Sequence, residues 1–348
     1  MSSRPPLARS SAAAFPRRRG GHGGLTGNER ERAQDGEFAG YEPKVAFLFP
    51  GQGAQSVGMA QELCAETPAA AELFARASAI LGYDLLDVCT NGPAEKLNST
   101  AVSQPAIYVA SLAAVEKLRA QEGGQAVIDA CDVAAGLSLG EYTALAFAGA
   151  ISFEDGLKVV QARGAAMQAA SDAAPSGMAS VIGLKSDQVA ELCEAASAAA
   201  GKPVRIANYL CPGNYAVSGA MEAVDAVVEK AKPEFKARMV VKLAVAGAFH
   251  TDFMAPAVEA LEAVLADTPV TKPRIPVVSN VDAAPHSDPA TIKAILAQQV
   301  TNPVQWETTL QTLGEKGLEE CYELGPGKVI AGIWKRIDKK MGVTNVEA

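Results

Sequence analysis

Short apolar runs alternate with longer segments of helical character along most of the chain. Apolar runs of strand length lie at residues 45–50, 133–135 and 276–279, and a further strand is predicted at residues 320–323. The segments between them predict helices at residues 60–65, 69–81, 104–121, 153–170, 256–266 and 289–299, with a terminal helix from residue 329. Strands that alternate with helices are typical of an α/β fold with a mainly parallel sheet. The strand at 320–323 is predicted to be the last one.

Residues 176–246 follow a different pattern. Strand-type and helical segments occur there in the order β-α-β-β-α-β, at residues 177–184, 187–200, 204–209, 215–218, 221–232 and 238–245. This order is that of a ferredoxin-like unit. We therefore predict an α/β fold class: a large α/β-hydrolase-like domain with a parallel-rich sheet, residues 43–172 and 247–340, and an inserted small ferredoxin-like subdomain, residues 173–246.

Residues 1–42 differ from the rest of the chain in composition. Arginine, serine and alanine are frequent in the first part, and no acidic residue precedes Glu29. This composition is typical of an organelle transit peptide, and the apolar core of a secretory signal is missing. The alternative is a disordered tail that carries no address.

The composition of the 348 residues argues against several classes of protein. The chain is 49% hydrophobic, which suffices for a large core, and its formal net charge is −8. A nucleic-acid-binding protein needs a basic face, so this charge argues against one. No apolar run is long enough to span a membrane. The six cysteines form no C-x-x-C pair and fit no zinc site, so we expect free thiols and no metal site.

The strongest candidate for chemistry is the segment Gly136-Leu137-Ser138-Leu139-Gly140. It has the form G-x-S-x-G and lies between a predicted strand and a helix-prone run. This context is typical of a nucleophile elbow, in which the glycines permit a sharp turn and close packing of strand and helix. The sequence predicts Ser138 as a nucleophile, with a purely structural turn as the alternative.

A serine hydroxyl needs a base to become a nucleophile, and the chain contains three histidines. His22 lies in the predicted transit peptide, and His286 lies in a turn-like segment between prolines. His250 follows a predicted strand and precedes a predicted helix, and strand ends carry the catalytic groups of many α/β sheets. By elimination, His250 is the predicted base. The alternative is a histidine without a chemical role.

Two further candidates lie elsewhere in the chain. Arg163 interrupts an apolar helical run, and a buried arginine usually needs a carboxylate or phosphate partner. A structural ion pair and a surface position remain open as alternatives for it. The loop Gly51-Gln52-Gly53 follows the first strand, where glycine lets the backbone approach a ligand and a loop N–H can stabilise an oxyanion. No G-K-S/T follows, so this is not a phosphate loop.

Taken together, these segments resemble the malonyl-CoA:acyl-carrier-protein transacylases of type II fatty-acid synthesis. The resemblance extends from about Lys44 to Ile337 and rests on several motifs in the order that the family has them. They are Phe49-Pro50-Gly51-Gln52-Gly53-Ala54-Gln55, Gly136-Leu137-Ser138-Leu139-Gly140-Glu141-Tyr142, Arg163-Gly164, Asn302-Pro303-Val304-Gln305-Trp306 and Glu323-Leu324-Gly325-Pro326-Gly327-Lys328. Their combination is far more specific than any one of them.

The resemblance implies a role for the serine and the histidine. Ser138 would be the nucleophile that carries malonyl as an ester, and His250 the base that later protonates the leaving thiolate. The family uses a backbone carbonyl instead of an aspartate to orient the histidine, and the matching position is Gln299. The family's commonest sequences have a histidine where this chain has Leu137, and Phe249 beside the base is expected to narrow the acyl pocket.

The resemblance also implies how the substrate is bound. The backbone N–H groups of Gln52 and Leu139 would form the oxyanion hole, and Gln52 would also contact the substrate. Arg163 would bind the free carboxylate of malonate, because a guanidinium and a carboxylate form two parallel hydrogen bonds. Acetyl lacks this carboxylate, so the arginine would distinguish malonyl from acetyl.

The implied reaction is a ping-pong transfer of malonyl from malonyl-CoA to the pantetheine thiol of holo acyl carrier protein, with release of CoA. No metal and no bound cofactor are expected, nor is nucleic acid or a membrane expected as a partner, and we expect a monomer. The family implies the plastid stroma as the location, with the mitochondrion as the alternative. The alternative function is an α/β-hydrolase-type esterase or thioesterase, which uses the same elbow but expects an acidic residue between the serine and a late histidine.

Overall fold

The computed structural model describes residues 37–348, so the predicted transit peptide lies almost entirely outside the described residues. The described chain contains two β-sheets. One sheet is built from β1 Val45–Phe49, β2 Val133–Gly136, β7 Val277–Val278, β8 Glu320–Gly325 and β9 Val343–Glu347. The other is built from β3 Ser176–Ile182, β4 Val204–Cys211, β5 Asn214–Ala220 and β6 Met239–Lys242.

Helices account for most of the other described residues. Those before β2 are α1 Gln61–Glu66, α2 Pro68–Leu81, α3 Leu85–Asn91, α4 Ala94–Asn98, α5 Thr100–Ala120 and α6 Gly124–Ala130. Those between β2 and β6 are α7 Leu139–Phe147, α8 Phe153–Ala173, α9 Ser186–Ala200 and α10 Met221–Ala231. The last are α11 Ala255–Asp267, α12 Pro289–Gln299, α13 Trp306–Glu315 and α14 Val329–Ile337. Within residues 37–348, none of the helices combines the length and apolar character needed to cross a membrane.

The five-stranded sheet is parallel throughout, in the strand order β7-β2-β1-β8-β9. Successive side chains point to opposite sides of a strand, and those of the central strand β1 are buried on both faces of the sheet. Phe47 and Phe49 belong to the larger core beneath α5, α7 and α8. Ala46 and Leu48 belong to the opposite core, which α13 and α14 cover. The sheet is therefore a middle layer between two layers of helices.

The four-stranded sheet is antiparallel, in the strand order β4-β5-β3-β6. Helices α9 and α10 pack on it through an apolar cluster of its own, which includes Leu192 and Val224 from the helices and Val181 and Val217 from the strands. The chain thus runs β-α-β-β-α-β through this unit.

The two sheets meet beside the segment that follows α12. The Tyr209 N–H of β4 donates to the Val304 carbonyl at 3.0 Å, and the Val304 N–H donates to the Ala207 carbonyl at 2.8 Å. Arg205, also on β4, donates from Nη2 to the Thr301 carbonyl at 2.6 Å. These bonds bring β4 of the small sheet next to the carboxyl end of α12.

The prediction of an α/β fold with a mainly parallel sheet is confirmed, and a small antiparallel sheet accompanies it. The helix predicted at residues 289–299 has those bounds in the structure. The prediction that residues 320–323 form the last strand was wrong, because β9 follows α14 and pairs in parallel with β8. Strand β9 is a largely exposed or half-exposed edge strand, so it lacks the apolar run by which buried strands are predicted.

Several helices were not predicted or begin elsewhere. Helices α3, α4 and α6 have only five to seven residues each, which is too short for a clear helical period. Helix α13 was also missed, although Trp306, Leu310 and Leu313 on it are spaced by four and three positions. Helix α5 begins at Thr100 instead of Gln104, because it continues through Pro105, a residue that usually lies in the first turn.

The crossing of α7 over β1 gives a testable prediction about stability. A Cβ atom at Gly140 would lie 2.1 Å from the Phe49 carbonyl oxygen, so alanine must push the helix away from the strand. We expect Gly140→Ala to destabilise the fold by about 1–3 kcal/mol, as overpacking does. Gly332→Ala is the matched control, since Gly332 is exposed in α14 with no atom within 4 Å of such a Cβ.

Thermal unfolding of the two variants and the parent protein measures the difference. The midpoint should fall for Gly140→Ala and stay or rise for Gly332→Ala, because alanine in a helix interior gains about 0.5–1 kcal/mol over glycine. Equal midpoints for both variants would contradict the close contact of helix and strand.

Candidate active site

Three loops at one edge of the five-stranded sheet form the candidate site. They follow β1, β2 and β7, which are neighbours in the sheet, and they carry Gln52, Ser138 and Asn280. Because the strands are parallel, their carboxyl ends meet at the same edge, where α/β folds place their ligands. Strand pairing brings Phe49 opposite Gly136, so the first two loops start side by side.

The backbone of Ser138 is strained, and Asn280 holds it in place. Ser138 has φ 52° and ψ −101°, a conformation that L-residues rarely adopt and that costs about 1–3 kcal/mol. Its N–H donates to Asn280 Oδ1 at 2.6 Å, and Asn280 Nδ2 donates to the Gly136 carbonyl at 2.8 Å. One amide side chain therefore binds the residues on both sides of the turn and fixes the direction of the serine hydroxyl.

The serine hydroxyl lies against His250. Ser138 Oγ and His250 Nε2 are 2.9 Å apart, and His250 Nδ1 lies 2.8 Å from the Gln299 carbonyl oxygen. A carbonyl only accepts hydrogen bonds, so Nδ1 carries the proton and Nε2 is free to accept the one from serine. The geometry is that of a nucleophile, a base and an acceptor that orients the base.

The small sheet holds the loop that carries His250. Ser218 on β5 donates to the Phe249 carbonyl at 2.8 Å, and Arg205 on β4 donates from Nη2 to the His250 carbonyl at 3.3 Å. Ser176 on β3 accepts from the Ala248 N–H at 3.1 Å. His250 itself has φ 59°, which the surrounding bonds must maintain. The small sheet thus positions the base, and the large sheet positions the nucleophile.

His250 is kept neutral by its surroundings. Burial, and after it the positive charge of Arg163, lower its pKa to about 4, although the hydrogen bond to the Gln299 carbonyl acts in the opposite direction. A base must be unprotonated to act, so this pKa leaves His250 ready to accept a proton at neutral pH.

Arg163 is buried at the floor of the site with neutral partners. It is only 1% exposed, and its guanidinium donates to Gln104 Oε1 at 2.7 Å, to Gln299 Oε1 at 2.9 Å and to Ser138 Oγ at 3.1 Å. In the part of the chain that the structure describes, no carboxylate lies within ion-pair distance of it, and its Nε has no hydrogen-bond partner. Both structural alternatives for this arginine, an ion pair and a surface position, are therefore excluded within residues 37–348.

A cavity of about 240 Å³ connects these groups. Its lining is mostly apolar and includes Met167, Met178 and Phe249, while Ser138, His250 and Arg163 supply the polar groups. An apolar pocket with a few convergent polar groups is typical of a small-molecule site. Phe249, the residue beside the predicted base, lies at the wall of this cavity.

The Gln52 loop closes against the elbow. The Leu137 N–H donates to the Phe49 carbonyl at 3.0 Å, and a Cβ at Gly51 would lie 2.3 Å from the Leu137 carbonyl oxygen, so only glycine permits this approach. Within residues 37–348, the backbone N–H groups of Gln52 and Leu139 have no hydrogen-bond acceptor. Both residues line the cavity. Two free N–H donors therefore lie beside Ser138.

Several residues of the site were not predicted from the sequence. Gln104, Asn208 and Asn280 line the cavity or hold its parts, yet an amide side chain has no characteristic spacing. His286, the rejected base, lies 2.9 Å from Asp282 through Nε2 and not beside Ser138. Glu141 was part of the elbow motif, but its side chain had no predicted role.

No group of three or more potential metal ligands occurs among the residues that the structure describes. All six cysteines have free thiols, as expected, and five of them are buried. Burial raises the pKa of thiols such as Cys64 and Cys131, so they are poor nucleophiles at neutral pH.

The fold and the site place the chain in a known family. The model of the acyl transferase domain matches residues 46–336. The chain is 44% identical over 299 residues to the mitochondrial malonyl-CoA-acyl carrier protein transacylase of Mus musculus, a match that covers 83% of this chain and 77% of the relative. The chain therefore belongs to the acyl transferase family, among its malonyl-CoA-acyl carrier protein transacylases.

Solved structures agree with this assignment. An acyl carrier protein S-malonyltransferase from Vibrio cholerae matches with a TM-score of 0.80 at 37% identity and covers 87% of this chain and 97% of its own. A malonyl-transacylase solved in complex with a type II polyketide-synthase acyl-carrier protein matches with a TM-score of 0.81 at 34% identity, covering 87% and 96%.

The electrostatics of the site predict an unusual titration of His250. We expect NMR of histidine-labelled protein to show the His250 ring neutral down to about pH 5, because burial and Arg163 lower its pKa to about 4. Arg163→Met should raise that pKa, since it removes the positive charge. The resonance is assigned with His250→Gln, and a midpoint near the ordinary value of about 6.5 in the parent protein would contradict the arrangement.

Proposed function

We propose that this chain transfers the malonyl group of malonyl-CoA to the thiol of holo acyl carrier protein through a malonyl ester of Ser138. The observation that carries the proposal is Arg163, a buried guanidinium that donates to Ser138 Oγ at 3.1 Å and has no carboxylate partner among residues 37–348. A substrate that brings its own carboxylate into this pocket supplies the missing partner. The named relatives, which are malonyl-CoA-acyl carrier protein transacylases, support the same assignment.

In the first half of the reaction, His250 Nε2 accepts the proton of the Ser138 hydroxyl while Oγ attacks the thioester carbonyl of malonyl-CoA. The tetrahedral intermediate collapses, the carbon–sulfur bond breaks, and the CoA thiolate takes the proton from His250 as it leaves. In the second half, His250 accepts the proton of the pantetheine thiol, the sulfur attacks the ester, and the proton returns to Ser138 Oγ. The Gln299 carbonyl keeps the ring in the required tautomer in both halves.

The backbone N–H groups of Gln52 and Leu139 form the proposed oxyanion hole. Both are free of other hydrogen bonds within the described chain, and both flank the serine. Such donors stabilise the charge that develops on the carbonyl oxygen, and the loss of one typically costs about 10²–10³-fold in rate.

Arg163 is the proposed selectivity residue. Three of its five N–H donors are used in the free protein, which leaves donors for the malonyl carboxylate. An acetyl group would fill the same pocket but leave the arginine without an anion, a costly situation in a closed site. The apolar lining excludes water, the competing acceptor. The side chains that take part in the mechanism are those of serine, histidine and arginine, and we propose no metal ion or bound cofactor.

An esterase or thioesterase of the α/β-hydrolase type is the less favoured function. That class orients its histidine with an acidic side chain, whereas the Gln299 carbonyl lies at Nδ1 here. A buried arginine beside the nucleophile would also serve no purpose in it. The finer description of the fold as α/β-hydrolase-like with a ferredoxin-like subdomain at residues 173–246 stays a proposal, and so does the monomeric state.

Intact-mass spectrometry tests the proposed function. Protein mixed with malonyl-CoA should gain the mass of one malonyl group, and holo acyl carrier protein should remove it. Ser138→Ala is the control, because it keeps the pocket but lacks the oxygen that forms the ester. No adduct on the parent protein, or an equal adduct on Ser138→Ala, would overturn the proposal.

The cellular location concerns residues outside the described part of the chain. We keep the plastid as the prediction, with the mitochondrion as the alternative, and the names of the mouse and human relatives support the alternative. A fusion of residues 1–42 to a fluorescent protein should enter one of these organelles. A cytosolic signal would contradict the transit peptide itself.

A further inference from the structure

Glu141 is a buried carboxylate that has no role in the proposed mechanism. It lies in the first turn of α7, three residues after Ser138, and is 3% exposed. No cation lies within ion-pair distance of it in the part of the chain described, and burial raises its pKa to about 7. Burying a carboxylate without a cation is costly, so this glutamate is expected to have a purpose, which its hydrogen bonds indicate.

Two hydrogen bonds from described residues reach the same side-chain oxygen of Glu141. Oε2 accepts from Gln299 Nε2 at 2.6 Å and from the Asn280 N–H at 3.1 Å. Gln299 and Asn280 are the two residues that hold the histidine and the elbow, respectively. The carboxylate thus lies behind Ser138 and binds the supports of both groups that react.

The side-chain amide of Gln299 has one orientation that satisfies all of its neighbours. Its Nε2 donates to Glu141 Oε2 and to the Ser138 carbonyl at 2.9 Å, and its Oε1 accepts from Arg163 Nη2 at 2.9 Å. A flipped amide would place N–H groups against the guanidinium and an oxygen against the carboxylate. Both contacts would be repulsive, so the acceptor at position 141 fixes the orientation of the amide together with Arg163 and the Ser138 carbonyl.

We propose that Glu141 is a positioning residue: as the acceptor for Gln299 Nε2, it fixes the amide that aims Arg163 at the acyl carboxylate and steadies the carbonyl that orients His250. This inference rests on the proposed malonyl transfer. The Glu141 carboxylate does not line the cavity, and it acts through Gln299.

The position of both bonds on one oxygen allows a sharp test. Glu141→Gln keeps an acceptor oxygen at that point, so it should retain activity to within about tenfold. Glu141→Met has a similar length but no acceptor, so Gln299 Nε2 loses its 2.6 Å hydrogen bond and keeps only weaker restraints on that side. The amide can then shift, and misplacement on the scale of 1 Å can cost about 10²-fold. The readout is kcat/KM for malonyl-CoA and for acetyl-CoA, measured side by side.

The ratio of kcat/KM for malonyl-CoA to kcat/KM for acetyl-CoA distinguishes a positioning role from a general loss of activity. Because only malonyl uses Arg163, Glu141→Met should lose malonyl transfer far more than acetyl transfer, and Glu141→Gln should restore the ratio. Glu323→Met is the matched control: Glu323 is also fully buried and accepts two backbone N–H bonds, from Ile330 and Ala331, but has no bond to Gln299. It should lower the unfolding midpoint and leave the ratio unchanged.

If Glu141→Met does not fold, Glu141→Asp takes its place, because the shorter side chain cannot reach both donors. We then expect a reduced ratio of malonyl to acetyl transfer. A parental ratio in Glu141→Met, or in Glu141→Asp when that variant is used, would overturn the inference. A parent protein that forms no malonyl ester would instead overturn the proposed function, so the two failures are distinguishable.

Discussion

A positive charge buried among neutral partners is the constraint on which the site depends. The guanidinium of Arg163 is 1% exposed and is held by the side chains of two glutamines and one serine. Removing an ion from water is costly unless an opposite charge accompanies it, and within residues 37–348 none lies within ion-pair distance. The fold therefore maintains an electrostatic imbalance that an incoming carboxylate would relieve. Burial, and after it this same charge, lower the pKa of His250 and so keep the base neutral.

Gln299 connects the two halves of this arrangement. Its main-chain carbonyl accepts the Nδ1 proton of His250, and its side chain binds Arg163 on one side and Glu141 on the other. A carbonyl in place of an acidic partner has a physical consequence, because it fixes the tautomer without adding a negative charge beside the histidine. An added carboxylate there would raise the pKa of the histidine and would also compete for Arg163. Because a carbonyl and not a carboxylate lies at Nδ1, Arg163 stays available for a carboxylate that the substrate brings into the pocket.

The sequence predicted the groups that react better than the groups that hold them. Ser138 carries a turn motif, and His250 could be selected because the chain has few histidines. Neither signal requires knowledge of the fold, and the structure places the two side chains 2.9 Å apart. Asn280 and the side chain of Gln299 lie 142 and 161 positions from Ser138, and nothing in an isolated amide residue indicates which loop it will meet. Strand β9 escaped prediction for a related reason, since an edge strand is defined by its neighbour β8 and not by an apolar run.

The most direct test of the account is the preference of Arg163→Ala between malonyl-CoA and acetyl-CoA, measured as the ratio of kcat/KM values. Truncating one partner of a buried charge pair costs about 2–5 kcal/mol, so malonyl transfer should fall by roughly one and a half to three and a half orders of magnitude while acetyl transfer gains in relative terms. Arg205→Ala is the control, because Arg205 binds the His250 carbonyl outside the cavity and should slow both substrates alike. An unchanged preference in Arg163→Ala would contradict the claim that this guanidinium selects the acyl group.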